Sequence, residues 1–191
     1  MTMHLPRAGR QSGHIRWSHA CARSLGFSLV ELVFAIAIVA ILMTLALPNF
    51  RTWMLNAQIR NAAESMANGL QRARAEAVAR NASIEFVLAA GSTWTVDYVI
   101  KPVVTDPPID TRNSNEGSPD VTVAVLPAGA TTITFNNLGA IQPNADASAT
   151  LSQIDLAGGG ASQSLRVTIN VGGSSRMCDP SLAPGSSPRA C

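Results

Sequence analysis

The chain has 191 residues, with 14 Lys+Arg against 12 Asp+Glu, yet the first 26 hold Arg7, Arg10, Arg16 and Arg23, all three histidines and no acid. The 14 basic residues less these four leave 10 against 12 acids in residues 27–191, so the formal charge of +2 belongs to the beginning of the chain alone. Without that beginning the product has no histidine, one lysine (Lys101) and one tyrosine (Tyr98), which excludes His-based triads, imidazole general bases and most zinc sites.

From Phe27 to Leu47 the only charge is Glu31. About 20 such residues in a helix span a bilayer core of about 30 Å, so residues 27–47 predict a membrane helix. A secretory signal peptide has a shorter apolar run and a small-x-small cleavage site. Here the run is longer and is followed by Pro48-Asn49-Phe50-Arg51-Thr52-Trp53. Positive charge before the helix and none in excess after it orient the N-terminus to the cytoplasm, with the remainder in an oxidising compartment. Glu31 is the residue of interest, because a carboxylate costs about 2.5–3.5 kcal/mol at the centre of a membrane helix and normally finds a partner. The alternative is a snorkelling or protonated glutamate at the interface.

Pro48 removes a backbone donor and predicts a kink. Beyond it Leu55, Ile59, Ala62, Ala63, Met66, Leu70, Ala73 and Ala77 recur at spacings of three and four, which predicts one long helix over 27–81 with an apolar stripe. Arg72, Glu76 and Arg80 are spaced to pair along a solvated face, and Asn81 suits a helix end.

After Asn81 the period changes to two. Ile84–Leu88, the alternation of Trp94, Val96, Tyr98 and Ile100, and that of Leu165, Val167, Ile169 and Val171 predict strands. Val121–Leu126, Thr132–Phe135 and Leu151–Leu156 are further strands. A polar second face implies an antiparallel sheet covered on one side, and the long helix supplies the cover, giving an α+β head over 82–191. The segment Lys101–Asp120 holds Asp106, Asp110, Glu116 and Asp120 without the spacing of a calcium loop; it is expected to be a surface loop, and no metal or other cofactor is expected. Gly158-Gly159-Gly160 lacks the ending of a phosphate loop and is expected to be a turn.

The order of basic leader, Gly26, Phe27-Ser28-Leu29-Val30-Glu31, apolar helix and Pro48 resembles the leader of type IV pilins and type II secretion pseudopilins. Leu70-Gln71-Arg72-Ala73-Arg74-Ala75-Glu76-Ala77-Val78-Ala79-Arg80-Asn81, Trp94, Ile133-Thr134-Phe135-Asn136-Asn137-Leu138-Gly139 and Leu165-Arg166-Val167-Thr168-Ile169 are similar to FimT/GspH-type minor pilins and pseudopilins. The resemblance implies a pilin-like fold and a non-enzymatic assembly subunit. It also implies removal of residues 1–26 by a prepilin peptidase between Gly26 and Phe27, with methylation of the new amine. Glu31 would then pair with the Phe27 amine of a neighbouring subunit and set the axial register. The implied partners are the peptidase, other major and minor pilins or pseudopilins and the inner membrane, with the head in the periplasm and later in a pilus or pseudopilus.

With Cys21 in the leader, Cys178 and Cys191 remain for the exported head. If oxidised they close a loop worth about 3 kcal/mol in the chain-entropy model; otherwise they are two thiols. Family members that take up DNA carry Gly-Arg-x-Arg near this point, and here Gly173-Ser174-Ser175-Arg176 keeps only the second arginine. Arg166, Arg176 and Arg189 are therefore the candidates for an alternative role in DNA binding during natural transformation, which so few phosphate contacts would make weak and salt-dependent. Trp94 and Tyr98 are better assigned to the core than to base stacking.

Overall fold

The computed structural model of the protein describes residues 26–191, so the leader with Arg7, Arg10, Arg16, Arg23 and Cys21 lies outside the described residues. The chain divides into two units, one ending at Ile41 and one running from Leu42 to Cys191.

Helix α1 occupies Leu29–Arg80, starting two residues later than the expected 27–81. Ser28 is the reason: its Oγ accepts the Val30 amide at 3.2 Å and its carbonyl accepts the Leu32 amide, the two bonds of an N-cap. Pro48, where a kink was expected, lies inside α1. Among the described residues no single helix is long and apolar enough to cross a membrane, and Leu29–Thr44 taken together with Ala46–Arg80 meets that test by length and composition alone. At the other end Asn81 has φ of 50°, the Ala82 amide bonds the Ala77 carbonyl and the Asn81 amide bonds that of Val78. This is a Schellman motif, and asparagine pays a smaller penalty in the left-handed region than most side chains.

Nine strands follow: β1 (Ile84–Leu88), β2 (Trp94–Tyr98), β3 (Asp110–Arg112), β4 (Val121–Leu126), β5 (Thr132–Phe135), β6 (Ile141–Gln142), β7 (Gln153–Gly158), β8 (Leu165–Ile169) and β9 (Ser175–Cys178). The single sheet expected is in fact two, ordered β3-β2-β1-β5-β6 and β4-β7-β8-β9, and every adjacent pair is antiparallel. Ile84, Phe86, Leu88, Trp94, Val96, Ile133 and Phe135 of the first sheet and Val121, Ile154, Leu156, Val167 and Ile169 of the second are buried. They form one core with Ile59, Ala62, Ala63, Met66, Leu70, Ala73 and Ala77 of α1, so the apolar stripe of the helix serves both sheets. Leu55, at the head of the predicted stripe, is only half-buried.

The polar contents of this core are paired. Trp94 Nε1 donates to Ser65 Oγ on α1 at 2.8 Å, and Thr134 Oγ1 donates to Asn144 Oδ1 at 3.0 Å. Among the described residues no buried side-chain nitrogen or oxygen lacks a partner.

Candidate assembly surface and the C-terminal segment

Phe27 is exposed and precedes the Ser28 cap, and Glu31 occupies the third helical position. Ser28-Leu29-Val30-Glu31 therefore has capping-box spacing as well as the family signature, and Ser28 makes its half of the cap. An acid in the first turn also complements the positive end of the helix dipole. Among the described residues Glu31 has no ion-pair partner.

Around it the helix surface is apolar without interruption. Phe27, Leu29, Val30, Leu32, Val33, Phe34, Ile36, Ile38, Val39 and Ile41 are all exposed, and so are Leu42, Met43 and Leu47 in the second unit. Soluble monomers do not display a contiguous apolar surface of this kind, and it marks a membrane or protein contact. Past it Phe50 and Trp53 pair at 5.8 Å between ring centroids, both exposed.

The helix from Asn56 onward is tied to the head through polar contacts at its flanks. Asn56 Nδ2 donates to Ser162 Oγ at 2.8 Å, and Gln58 Nε2 donates to Asp120 Oδ2 at 3.2 Å. Glu76 accepts from Arg72 and Arg80, and the hydrogen bond from Arg80 is the main cause holding its carboxyl below the usual value. Arg80 also donates to the Tyr98 hydroxyl at 2.8 Å and lies over its ring. Tyr98 and Trp94 are thus both engaged inside the head.

Cys178 and Cys191 are joined in a disulfide with Cα atoms 5.0 Å apart. The segment between them folds beside β9: the Asp179 amide donates to the Arg189 carbonyl, and Arg176 Nη2 donates to the carbonyls of Pro188 at 2.9 Å and Ala190 at 3.1 Å. Of the arginines considered for DNA, Arg176 is therefore a fastener of this segment. Arg166 makes two hydrogen bonds to Asp155 on β7. Arg189 lies near Asp179, whose carboxyl is held below its usual value chiefly by hydrogen bonds from Ser181 and in part by Arg189. The structure does not assemble the three into one unpaired cluster.

Within the segment expected to be a surface loop, Asp110–Arg112 forms β3, Lys101 reaches the Asp106 carbonyl and Asp120 is bonded to Gln58. No group of three His, Cys, Asp or Glu side chains comes together among the described residues. Gly160, with φ of 91°, turns the chain after β7, and its carbonyl accepts from Thr52 on α1.

Residues 62–173, more than half of the chain, match the family described as Type II transport protein GspH, and residues 21–47 match the Prokaryotic N-terminal methylation motif. Among solved structures, the type IV minor pilin FimU of Pseudomonas aeruginosa is similar at 20% identity over 66% of this chain and 98% of that one, with a TM-score of 0.48. The minor pseudopilin EpsH from the type 2 secretion system of Vibrio cholerae is similar at 13% identity over 65% of this chain and 99% of that one, with a TM-score of 0.47. Among curated proteins no sequence matches the chain. With a methylation motif leading into its long helix and the family match spanning both sheets, the chain belongs to the GspH family of pilin-like minor pilins and pseudopilins.

Proposed function

We propose that the chain is a non-enzymatic subunit stored in the inner membrane and drawn into a type IV pilus or a type II secretion pseudopilus. Processing between Gly26 and Phe27 leaves Phe27 as the methylated first residue. Glu31 is the observation that carries this function: it is the one charge in the exposed apolar stretch of residues 27–47. In lipid or among packed helices such a carboxylate needs a cation. The amine made by cleavage supplies one on each incoming subunit, so pairing selects a chain already processed and fixes its axial position.

The expected mature protein begins with methyl-Phe27 by mass spectrometry. The Glu31→Ala variant is expected to be processed and membrane-bound but depleted from sheared filaments. An intact Met1, or an alanine variant incorporated as well as the wild type, refutes the proposal. Loss of surface pili on deletion assigns the subunit to a pilus, and loss of exoprotein release assigns it to a secretion system.

A further inference from the structure

Beyond Arg60 every arginine has a use within the head. Arg72 and Arg80 serve Glu76, Arg74 and Arg112 donate to backbone carbonyls, and the remainder hold β7 or act on the C-terminal segment. Arg51 and Arg60 differ. Both are exposed, and among the described residues neither has a hydrogen bond, an ion pair or a ring contact. Between Glu31 and Glu64 they are the only charged side chains, and the exposed Phe50–Trp53 pair lies beside Arg51 in sequence.

The part of the head fastened to this stretch supplies no free acid. Thr52 Oγ1 donates to the Gly160 carbonyl at 3.3 Å, the Ser162 amide to Asn56 Oδ1 at 3.1 Å, and Gln163 Nε2 to the Asn56 carbonyl at 3.2 Å. The turn so held, residues 158–163, is uncharged. Asp120, which also reaches the helix here, exchanges hydrogen bonds with Gln58. At a rise of 1.5 Å per residue Arg51 stands about 6 Å beyond Leu47, Trp53 about 9 Å and Arg60 about 20 Å. Headgroups extend about 5–8 Å outside the hydrocarbon core, so Arg51 and Trp53 fall at their level when residues 27–47 are in a bilayer. Helical side chains lean back toward the N-terminus, which brings the Arg60 charge to within about one Debye length, 8–10 Å, of the same layer.

We infer that Phe50, Arg51, Trp53 and Arg60 form a collar that docks the head on the membrane leaflet facing it, with anionic phospholipid as the preferred partner. The aromatic pair sits where amphipathic rings are favoured, at the boundary between hydrocarbon and water. Arginine suits the phosphates, since its planar fork gives charge-assisted hydrogen bonds to their oxygens. The collar continues the apolar surface of residues 27–47, and it rests on the assembly proposal in taking those residues into a membrane. It adds a hold on the stored subunit, because both arginines must leave the headgroups when the helix is drawn into a filament.

The test uses the full chain with Trp17→Phe in phosphatidylcholine nanodiscs, with and without phosphatidylglycerol, and reads acrylamide quenching of Trp53. Trp94 is buried and stacked on Phe86, out of the quencher's reach. Phosphatidylglycerol is expected to lower the quenching several-fold, and high salt to restore it. An arginine at an anionic surface is worth about fivefold in docking. Arg51→Gln is therefore expected to lose most of the protection, Arg60→Gln a smaller part, and Arg72→Gln, about 37 Å beyond Leu47, none. Near-native circular dichroism of each variant separates loss of docking from loss of fold. Equal quenching in the two lipids, or equal losses from all three replacements, overturns the inference. A chain that fails to enter nanodiscs overturns the membrane reading as well, whereas one that enters them and shows no lipid preference overturns the collar alone.

Discussion

Gly69 lies in the interior of α1, where glycine ordinarily costs about 1 kcal/mol relative to alanine. A Cβ at this position would stand 2.9 Å from Phe86 Cε2 and 3.1 Å from two ring carbons of Trp94, and those rings are stacked on each other. The two rings leave no room for a methyl group here, so Gly69→Ala is expected to lose about 1–3 kcal/mol by overpacking despite its better helix propensity. Ser65→Ala acts on the same contact by another route, leaving the buried Trp94 indole N–H unpaired at a cost of about 1–3 kcal/mol. Equilibrium chemical denaturation measures both, and an unchanged midpoint for Gly69→Ala would show that the rings yield. Glu85 supplies a pH-dependent counterpart. It is directly opposite Asp97 in the β1–β2 register, and burial, then Asp97 and Asp146, raise its carboxyl above the usual 4.5. Asp97 itself is paired with Lys101 at 2.7 Å. A carboxyl that binds its proton more tightly when folded makes stability fall as pH rises from the usual value through the raised one, and remain lower above it. Glu85→Gln is therefore expected to raise the denaturation midpoint at neutral pH, with the gain fading below pH 4.5, and a pH-independent difference would contradict this cause.

Among the elements, β9 with the segment behind it shows most clearly what a bridge does here. Ser175–Cys178 has little apolar alternation of its own, and it is held by pairing with β8 and by the loop that Arg176 and the disulfide fasten beside it. Cys191→Ser is expected to cost about 3 kcal/mol through the entropy of the opened loop, seen as a lower denaturation midpoint that reducing agent does not lower further. The same dependence on neighbours explains why β9 could not be read from the sequence, whereas β1, β4 and β5 could, with their limits, from uninterrupted β-branched and aromatic alternation. Strand β3, with Asp110 and Arg112, and β6, with two residues, exist because β2 and β5 offer them an edge. Leu151 was expected to open β7, but its amide bonds the Thr132 carbonyl in the first sheet, and the strand starts at Gln153 and runs to Gly158 opposite Val121. Two sheets instead of one follow from such long-range pairings, which periodicity does not encode. The helix was legible through its stripe, Ile59 to Ala77, because a 3.6-residue period is a local property.

Over the whole molecule the charge is divided by the expected processing site. The precursor has a formal charge of +2 and a pI near 8.7, and the four arginines of residues 1–26 account for the sign. Cleavage after Gly26 removes those four positive charges and no acid, leaving a side-chain charge of −2. The basic end of the head is also less available than its composition suggests, since Arg166 is neutralised by Asp155 and Arg176 is bound to carbonyls. Processing should therefore appear as a shift from an alkaline to an acidic isoelectric point on two-dimensional gels, together with loss of the leader mass. A variant blocked at Gly26, such as Gly26→Val, is expected to stay at the alkaline position even when membrane-bound. If the mature wild-type protein focused with the blocked variant, the leader would still be attached, and Glu31 would have no amine at Phe27 to meet.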